Sequence, residues 1–200
     1  MRYEFLIDSY ETERLKVVSV WTMFRDGDLA FRPHPADKRG RSVLEQMVHQ
    51  CVSENNWFRG MLGIDVNAPP LPEAESRLTF IERYAEDSRL RLEALRRTIE
   101  GWWEEEVQFF DVRRTRAWVM VRRIAHTAHH RGQQMAMLRM LNRDLHSNYG
   151  PTADTGGLAQ NGAQVIYAYS NVEDLLEGEK NGGAKARLPI RPDTPLTERP

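Results

Sequence analysis

The chain of 200 residues carries 28 Lys and Arg against 29 Asp and Glu, with 40% hydrophobic and 28% charged residues. This composition is ordinary for a soluble globular protein and excludes wholesale disorder, and a net charge of -1 gives no general attraction for nucleic acid or anionic lipid. A single cysteine, Cys51, excludes an intramolecular disulfide, and no apolar run suits a signal peptide or a membrane span. We therefore expect a cytoplasmic protein.

Four segments have apolar residues at helical spacing or open with helix-start signals. Ser42 and Glu45, three residues apart, form a capping-box pattern, and Pro72 suits an early helical position. After Gly101 the run WWEEEVQFFDV is expected to turn, fray or pair briefly as an extended segment. The predicted helices cover residues 3–25, 42–62, about 72–101 and 115–142.

This pattern predicts an all-α fold, a four-helix bundle over residues 1–149 with an irregular C-terminal extension over residues 150–200. The extension holds seven of the 13 glycines and five of the 10 prolines. Its VIYAY run (165–169) is apolar enough to dock on the bundle or to pair as a short strand. The remainder is expected to end loosely.

The phrase HTAHHRGQ (126–133) holds three of the six histidines. Residues four apart on a helix share a face, so His126 and His130 can direct their rings at one centre, whereas His129 points elsewhere. The face also carries Gln133 and apolar residues. Two histidines at this spacing are also compatible with ordinary hydrogen-bonded helix residues, and the missing Glu after His126 excludes the zincin pattern HExxH.

A metal site of the catalytic type commonly needs a third protein ligand from elsewhere in the chain. The candidates are His34, between two prolines, His146, just past the fourth helix, and His49, inside the second. His49 shares a polar stripe of its helix with Glu45 and several small polar residues. That stripe is either a solvated face or the wall of a polar pocket, and periodicity does not decide between them.

Three stretches, GRSVLEQMVHQCVSENNWF (40–58), IAHTAHHRGQQMAMLR (124–139) and NYGPTADTGG (148–157), resemble the DinB-like superfamily, also described as DinB/YfiT-like putative metalloenzymes. The resemblance implies a four-helix bundle that holds a divalent metal, often zinc or nickel, by three histidines. Carried over to this chain, the ligands are His49, His126 and His130. A homodimer is also implied.

Members with known activities use a low-molecular-weight thiol, as in mycothiol-dependent maleylpyruvate isomerase and bacillithiol transferases. The resemblance thus implies a thiol S-transferase or isomerase that acts on a small-molecule substrate. A metal-dependent hydrolase is one alternative, and a non-catalytic bundle with a structural metal in assembly or regulation is another. Nucleic-acid binding is disfavoured by the near-neutral charge.

Several neighbours of the histidines have both a chemical and a structural interpretation. Glu45 is the candidate general base or imidazole partner, or simply the capping residue. Gln133 either orients a ligand or packs between helices. Arg122 and Arg123 either receive the carboxylate of a substrate or thiol, or reach solvent.

Other residues of these helices have structural interpretations. Gly132 inside a helix suggests the close approach of a neighbouring helix or of the extension. Cys51 is interpreted as a buried core thiol, and Trp57, Trp102, Trp103 and the methionines of 135–140 as packing residues.

Overall fold

The computed structural model describes residues 2–189, and it is mostly helical. The four long helices confirm the predicted helical bundle, and two short helices and one β-hairpin are added to it. The long helices are α1 (Glu4–Met23), α2 (Val43–Trp57), α3 (Arg77–Arg96) and α5 (Arg116–Met140), and the added elements are α4 (Glu100–Glu104), β1 (Glu106–Phe109), β2 (Val112–Thr115) and α6 (Val172–Lys180). The predicted loose end at residues 190–200 lies outside the described residues.

The start of α2 has the predicted capping box. The backbone N–H of Glu45 donates to the Ser42 hydroxyl oxygen (3.2 Å), and the Glu45 carboxylate accepts from the Ser42 N–H (2.8 Å). After Trp57 the helix widens into one π-helical turn, Phe58–Leu62. At the start of α5 the Thr115 hydroxyl accepts from the N–H of Trp118 (3.2 Å). Side-chain caps thus fix the first residue of each of the two helices that carry the histidines.

The predicted start of the third helix at Pro72 is wrong, because the chain stays irregular until Ser76. The hydroxyl of Ser76 accepts from the N–H of Thr79 (3.2 Å), so Ser76 is the N-cap. The mixed run after α3 forms α4 and then an antiparallel hairpin that pairs Glu106 with Thr115 and Phe109 with Val112. Of the three outcomes expected for this run, a turn, fraying or a brief extended pairing, the structure shows the extended pairing.

The core lies where α1 packs against α3 and α5, and where α2 packs against α5. Trp21, Met47 and Phe80 are fully buried in one apolar cluster, and Phe58 and Trp103 in a second one nearer the hairpin. Burial of large side chains of this kind contributes roughly 1.5–3 kcal/mol each. Cys51 lies in the first cluster as a buried free thiol, as predicted.

The C-terminal extension docks on the bundle through its apolar run. The Ile166 carbonyl accepts from the N–H of Ser147 (2.8 Å), and Ala168 and Tyr169 are buried in the first cluster. The run forms no strand within residues 2–189. The helix α6 that follows was not expected, because Gly178 within it and the surrounding glycines favoured irregular structure; Val172 and Leu175 nevertheless bury one of its faces.

Among residues 2–189, no helix combines the length and the apolar character needed to cross a membrane.

Candidate metal centre

Three histidines meet where α2 crosses α5. His49 comes from α2, and His126 and His130 lie one turn apart on α5. One ring nitrogen of each histidine lies within 4.8 Å of those of the other two. The Nε2 atoms of His126 and His130 are 3.2 Å apart, and the ring centroids of His49 and His130 are 4.5 Å apart. Three imidazoles this close can share one ion between them.

The three rings differ in their access to solvent. His130 is buried, with 4% of its surface exposed, whereas His49 and His126 are half-buried. The polar stripe of α2 is therefore the wall of a polar site at His49, while Glu45 and Asn56 on the same stripe are exposed. An exposed side of this kind leaves room for a small molecule beside the rings.

The surroundings keep the imidazoles neutral. Burial, reinforced by the positive charge of Arg123, lowers the pKa of His126 to about 4. Burial and the neighbouring His126 lower the pKa of His130 to about 3, and burial followed by Arg41 lowers the pKa of His49. At neutral pH each ring therefore keeps a free lone pair, as a metal ligand must.

A chain of side-chain hydrogen bonds fixes the orientation of His130. Its Nδ1 lies 2.9 Å from Oε1 of Gln46, and Nε2 of Gln46 donates to Oε1 of Gln133 (2.9 Å). The Gln133 amide nitrogen in turn lies 2.9 Å from Nε2 of His129. Because an amide oxygen can only accept, the Nδ1 of His130 carries the proton and its Nε2 is left free to bind a metal.

His126 is held differently, by an aromatic ring. The Trp57 indole stacks on the imidazole with centroids 5.6 Å apart and planes 27° apart. The Nδ1 atom of His126 is buried and has no hydrogen-bond partner within residues 2–189. Stacking therefore sets the orientation of this ring, in place of the acceptor that His130 has in Gln46.

The donor set fits a divalent transition metal. Three neutral imidazoles suit zinc or nickel, whereas magnesium and calcium prefer oxygen ligands. Three protein ligands also leave at least one coordination position for water or substrate, which is the arrangement of catalytic rather than structural zinc sites.

Glu45 lies at the edge of this centre, and its carboxylate already has two hydrogen-bond partners. Its carboxylate pairs with Arg32 and accepts the Ser42 N–H. The Arg32 hydrogen bond, then that of Ser42, holds the pKa of Glu45 below its usual value. A carboxylate with a lowered pKa is a weaker base, so the contacts support the capping interpretation.

The two arginines singled out in the sequence have different environments. Arg123 is buried, donates to Ser53 (3.1 Å) and Thr127 (2.9 Å), and lies 5.5 Å from the Trp57 ring centroid. Its guanidinium therefore lies inside the bundle, beside the Trp57 ring that stacks on His126. Arg122 is exposed.

The expectation of a close neighbour at Gly132 is wrong. A Cβ atom built there meets no atom within 4 Å, because this side of α5 faces solvent.

Of the other histidines considered as ligands, His146 is buried, and its Nε2 lies 2.7 Å from the carbonyl oxygen of Ala186.

Sequence reasoning missed three contributors to the site. Gln46 lies one turn before His49, and a neutral amide at this position gives no charge pattern that would mark it. Trp57 was assigned to packing alone, and Arg41 precedes α2 in a loop where periodicity gives no signal. An amide one turn from a candidate ligand would have been the most useful signal, because histidine ligands usually donate their second N–H.

Behind the site, a buried charged network joins the helices. Glu54 is fully buried and accepts from the hydroxyls of Tyr10 and Tyr84, each at 2.7 Å. Arg91 and Arg123 lie 3.4 and 3.9 Å from the same carboxylate. The network connects α1, α2, α3 and α5 directly behind Trp57 and the histidines.

The fold and the site together define a helical bundle with a three-histidine cluster on two of its helices. The family model described as the DinB family matches residues 7–154. This match covers most of the chain, which therefore belongs to the DinB family.

The fold is also similar to the crystal structure of a DinB-like protein from Bacillus cereus ATCC 10987. The TM-score is 0.65 at 18% sequence identity, and the alignment covers 73% of this chain and 97% of that one. At this identity the likeness concerns the fold. No curated protein matches the chain.

Proposed function

We propose that this protein is a metal-dependent enzyme of the thiol S-transferase or isomerase type, with zinc or nickel bound by His49, His126 and His130. The observation that carries the proposal is the convergence of three neutral ring nitrogens within 4.8 Å. When bound, a divalent ion at such a centre lowers the pKa of a thiol or water and so supplies a nucleophile at neutral pH.

The exposure of the rings supports a reactive centre over a purely structural one. A structural metal is normally enclosed by four protein ligands, whereas His49 and His126 are half-buried and border solvent. The residues of the chain then orient the rings: Gln46 fixes the tautomer of His130, and Trp57 fixes the plane of His126.

A cleft beside His49 offers positive charge to an anionic thiol. It has a volume of about 520 Å³, and Lys38, Arg39 and Arg41 contribute to its wall. Arg39 pairs with Asp37, whereas neither Lys38 nor Arg41 forms an ion pair within residues 2–189. Lys38 and Arg41 are thus better placed than the buried Arg123 to receive the carboxylate of a low-molecular-weight thiol.

The test is thiol conjugation by protein incubated with zinc or nickel, using a panel of low-molecular-weight thiols and a fluorogenic electrophile. We expect a rate above the uncatalysed reaction for at least one thiol, and its loss in His126→Ala with the helical circular dichroism retained. No rate enhancement with any thiol would refute the transferase proposal.

The main alternative is a structural metal, and chelation separates the two. Removal of a structural ion should lower the thermal midpoint sharply, because its binding free energy is part of the folding free energy. For an enzyme we expect chelation to abolish conjugation while the metal-free chain stays folded, with its thermal midpoint lowered only by the loss of ligand binding.

We also propose that the protein is a homodimer, that it acts in the cytoplasm and that its substrate is a small molecule. Light scattering tests the homodimer: the mass of two chains is expected, and the mass of one chain at working concentration would refute the dimer.

A further inference from the structure

A continuous series of aromatic contacts leads from the histidine centre to the surface. Trp57, which stacks on His126, is met edge-on by Phe109 (centroids 5.3 Å apart) and Phe110 (6.2 Å) from the hairpin. Phe109 in turn meets Trp118 of α5 (5.0 Å). We call Trp57, Phe109, Phe110 and Trp118 the aromatic cluster.

The outer members of the cluster are open to solvent although they are large and apolar. Phe110 is 67% exposed and Trp118 is 38% exposed, while Trp57 at the inner end is 9% exposed. Exposed apolar surface beside a polar site commonly marks a place where a ligand or partner binds.

Phe110 also has an unfavourable backbone conformation. It is the first of the two residues that connect β1 to β2, and its φ is 51°. Turns with a positive φ at this position strongly favour Gly, Asn or Asp, and a bulky residue there is strained. Because most of the Phe110 ring remains in water, its burial does little to offset this strain. Strain that packing does not explain points to a role of the ring itself.

The aromatic cluster and the basic cleft border different histidines. The cleft includes His49, together with Lys38 and Arg41, whereas the cluster contacts His126 through Trp57. A molecule at the metal centre therefore has positive charge beside His49, and beside His126 it has Trp57, with Phe110 one ring further out.

We propose that the aromatic cluster binds an aromatic or similarly flat apolar group of the acceptor substrate, the molecule that receives the thiol. This inference rests on the proposed function, because it names the substrate class of the same site. The thiol then occupies the basic side, and the acceptor lies with its apolar group on Phe110 and its reacting atom toward the histidines.

The test uses two probes with the same metal-binding group. Benzohydroxamate and acetohydroxamate both chelate divalent metals and differ in a phenyl against a methyl group. Their dissociation constants are measured by isothermal titration calorimetry on the full chain incubated with zinc. We expect benzohydroxamate to bind about tenfold more tightly, the scale of one added aromatic contact.

Replacement of Phe110 assigns that preference to the cluster. Phe110→Ala should reduce the preference at least fivefold while the acetohydroxamate constant is unchanged. Phe5→Ala is the matched control, since Phe5 is 58% exposed but lies outside the cluster, and it should keep the preference. Phe110→Gly, which relieves the positive φ, should lose the preference without a lower thermal midpoint.

Other results overturn the inference and show which proposal failed. If both probes bind and Phe110→Ala and Phe110→Gly keep the wild-type preference, the aromatic cluster does not bind the acceptor, while the metal centre stands. If the preference persists and Phe110→Gly lowers the thermal midpoint, the ring only stabilises the hairpin. If neither probe binds and a titration of the full chain with zinc alone shows no binding, the proposed metal centre fails, and this inference with it. If zinc binds and neither probe does, this inference alone fails.

Discussion

Nδ1 of His130 and Oε1 of Gln46 lie 2.9 Å apart, although the two residues are 84 positions apart in sequence and belong to different helices. This contact joins α2 to α5 at the level of the histidine cluster. It determines which nitrogen of His130 is available to a metal, because the amide oxygen accepts the Nδ1 proton. The orientation of the buried ring is therefore set before any ion binds.

Replacing Gln46 should weaken metal binding without abolishing it. In Gln46→Leu we expect the zinc dissociation constant to rise about 10- to 100-fold, the usual effect of removing the partner behind a histidine ligand. Gln46→Glu keeps an acceptor for Nδ1 and should remain close to wild type. The constants are measured by competition with a chromophoric chelator, and a wild-type constant for Gln46→Leu would show that the contact does not position the ring.

Removing the buried carboxylate of Glu54 should strongly destabilise the fold. Glu54→Ala leaves Arg91 and Arg123 without their shared counter-charge in the core, a change that costs about 3–5 kcal/mol of unfolding free energy. Urea denaturation measures the loss. Glu86→Ala is the control, because Glu86 pairs with Arg89 on the exposed surface of α3, and it should lose only a small fraction of that amount. Equal losses would contradict a structural role for the buried network.

Gly132→Ala should stabilise the protein. The position is helical, and an added Cβ meets no atom within 4 Å, so the gain is about 1 kcal/mol from helix propensity. Gly178→Ala in α6 is the contrasting variant: its Cβ would lie 2.5 Å from Cε1 of Tyr169, and we expect destabilisation. Denaturant unfolding compares the two. A destabilising Gly132→Ala would mean that this face of α5 is covered in solution.

Helix-start signals within four residues of each other predicted the start of α2, and competing local signals account for the errors at α3 and α6. The Ser42 and Glu45 pair marks the start of α2 because both partners of the cap lie within four residues. The start of α3 was predicted at Pro72, four residues too early, because the cap that Ser76 forms with Thr79 was not recognised. The helix α6 has local signals of its own, the Asn171 cap and the apolar pair Val172 and Leu175, but Gly178 and the surrounding glycines outweighed them in the prediction.

The candidate site could be predicted from sequence only where a single helix decides its geometry. The spacing of His126 and His130 predicted a shared face, since that depends on the helix alone. The orientation of His49 depended on how α2 packs on α5, and the family resemblance supplied what the helical wheel left open. Trp57 and the hairpin could not be placed beside His126 from sequence, because their contacts join segments about 10 to 70 residues apart.

The most direct test of the central claim is metal content by elemental analysis of protein purified without a metal-affinity tag. Wild type is compared with His49→Ala and His126→Ala after incubation with zinc or nickel and removal of free ion. A three-histidine centre predicts close to one divalent ion per chain in wild type and its loss in both variants, with helical content retained. Wild type that binds no ion, or a His49→Ala variant that keeps the full stoichiometry, would contradict the assignment.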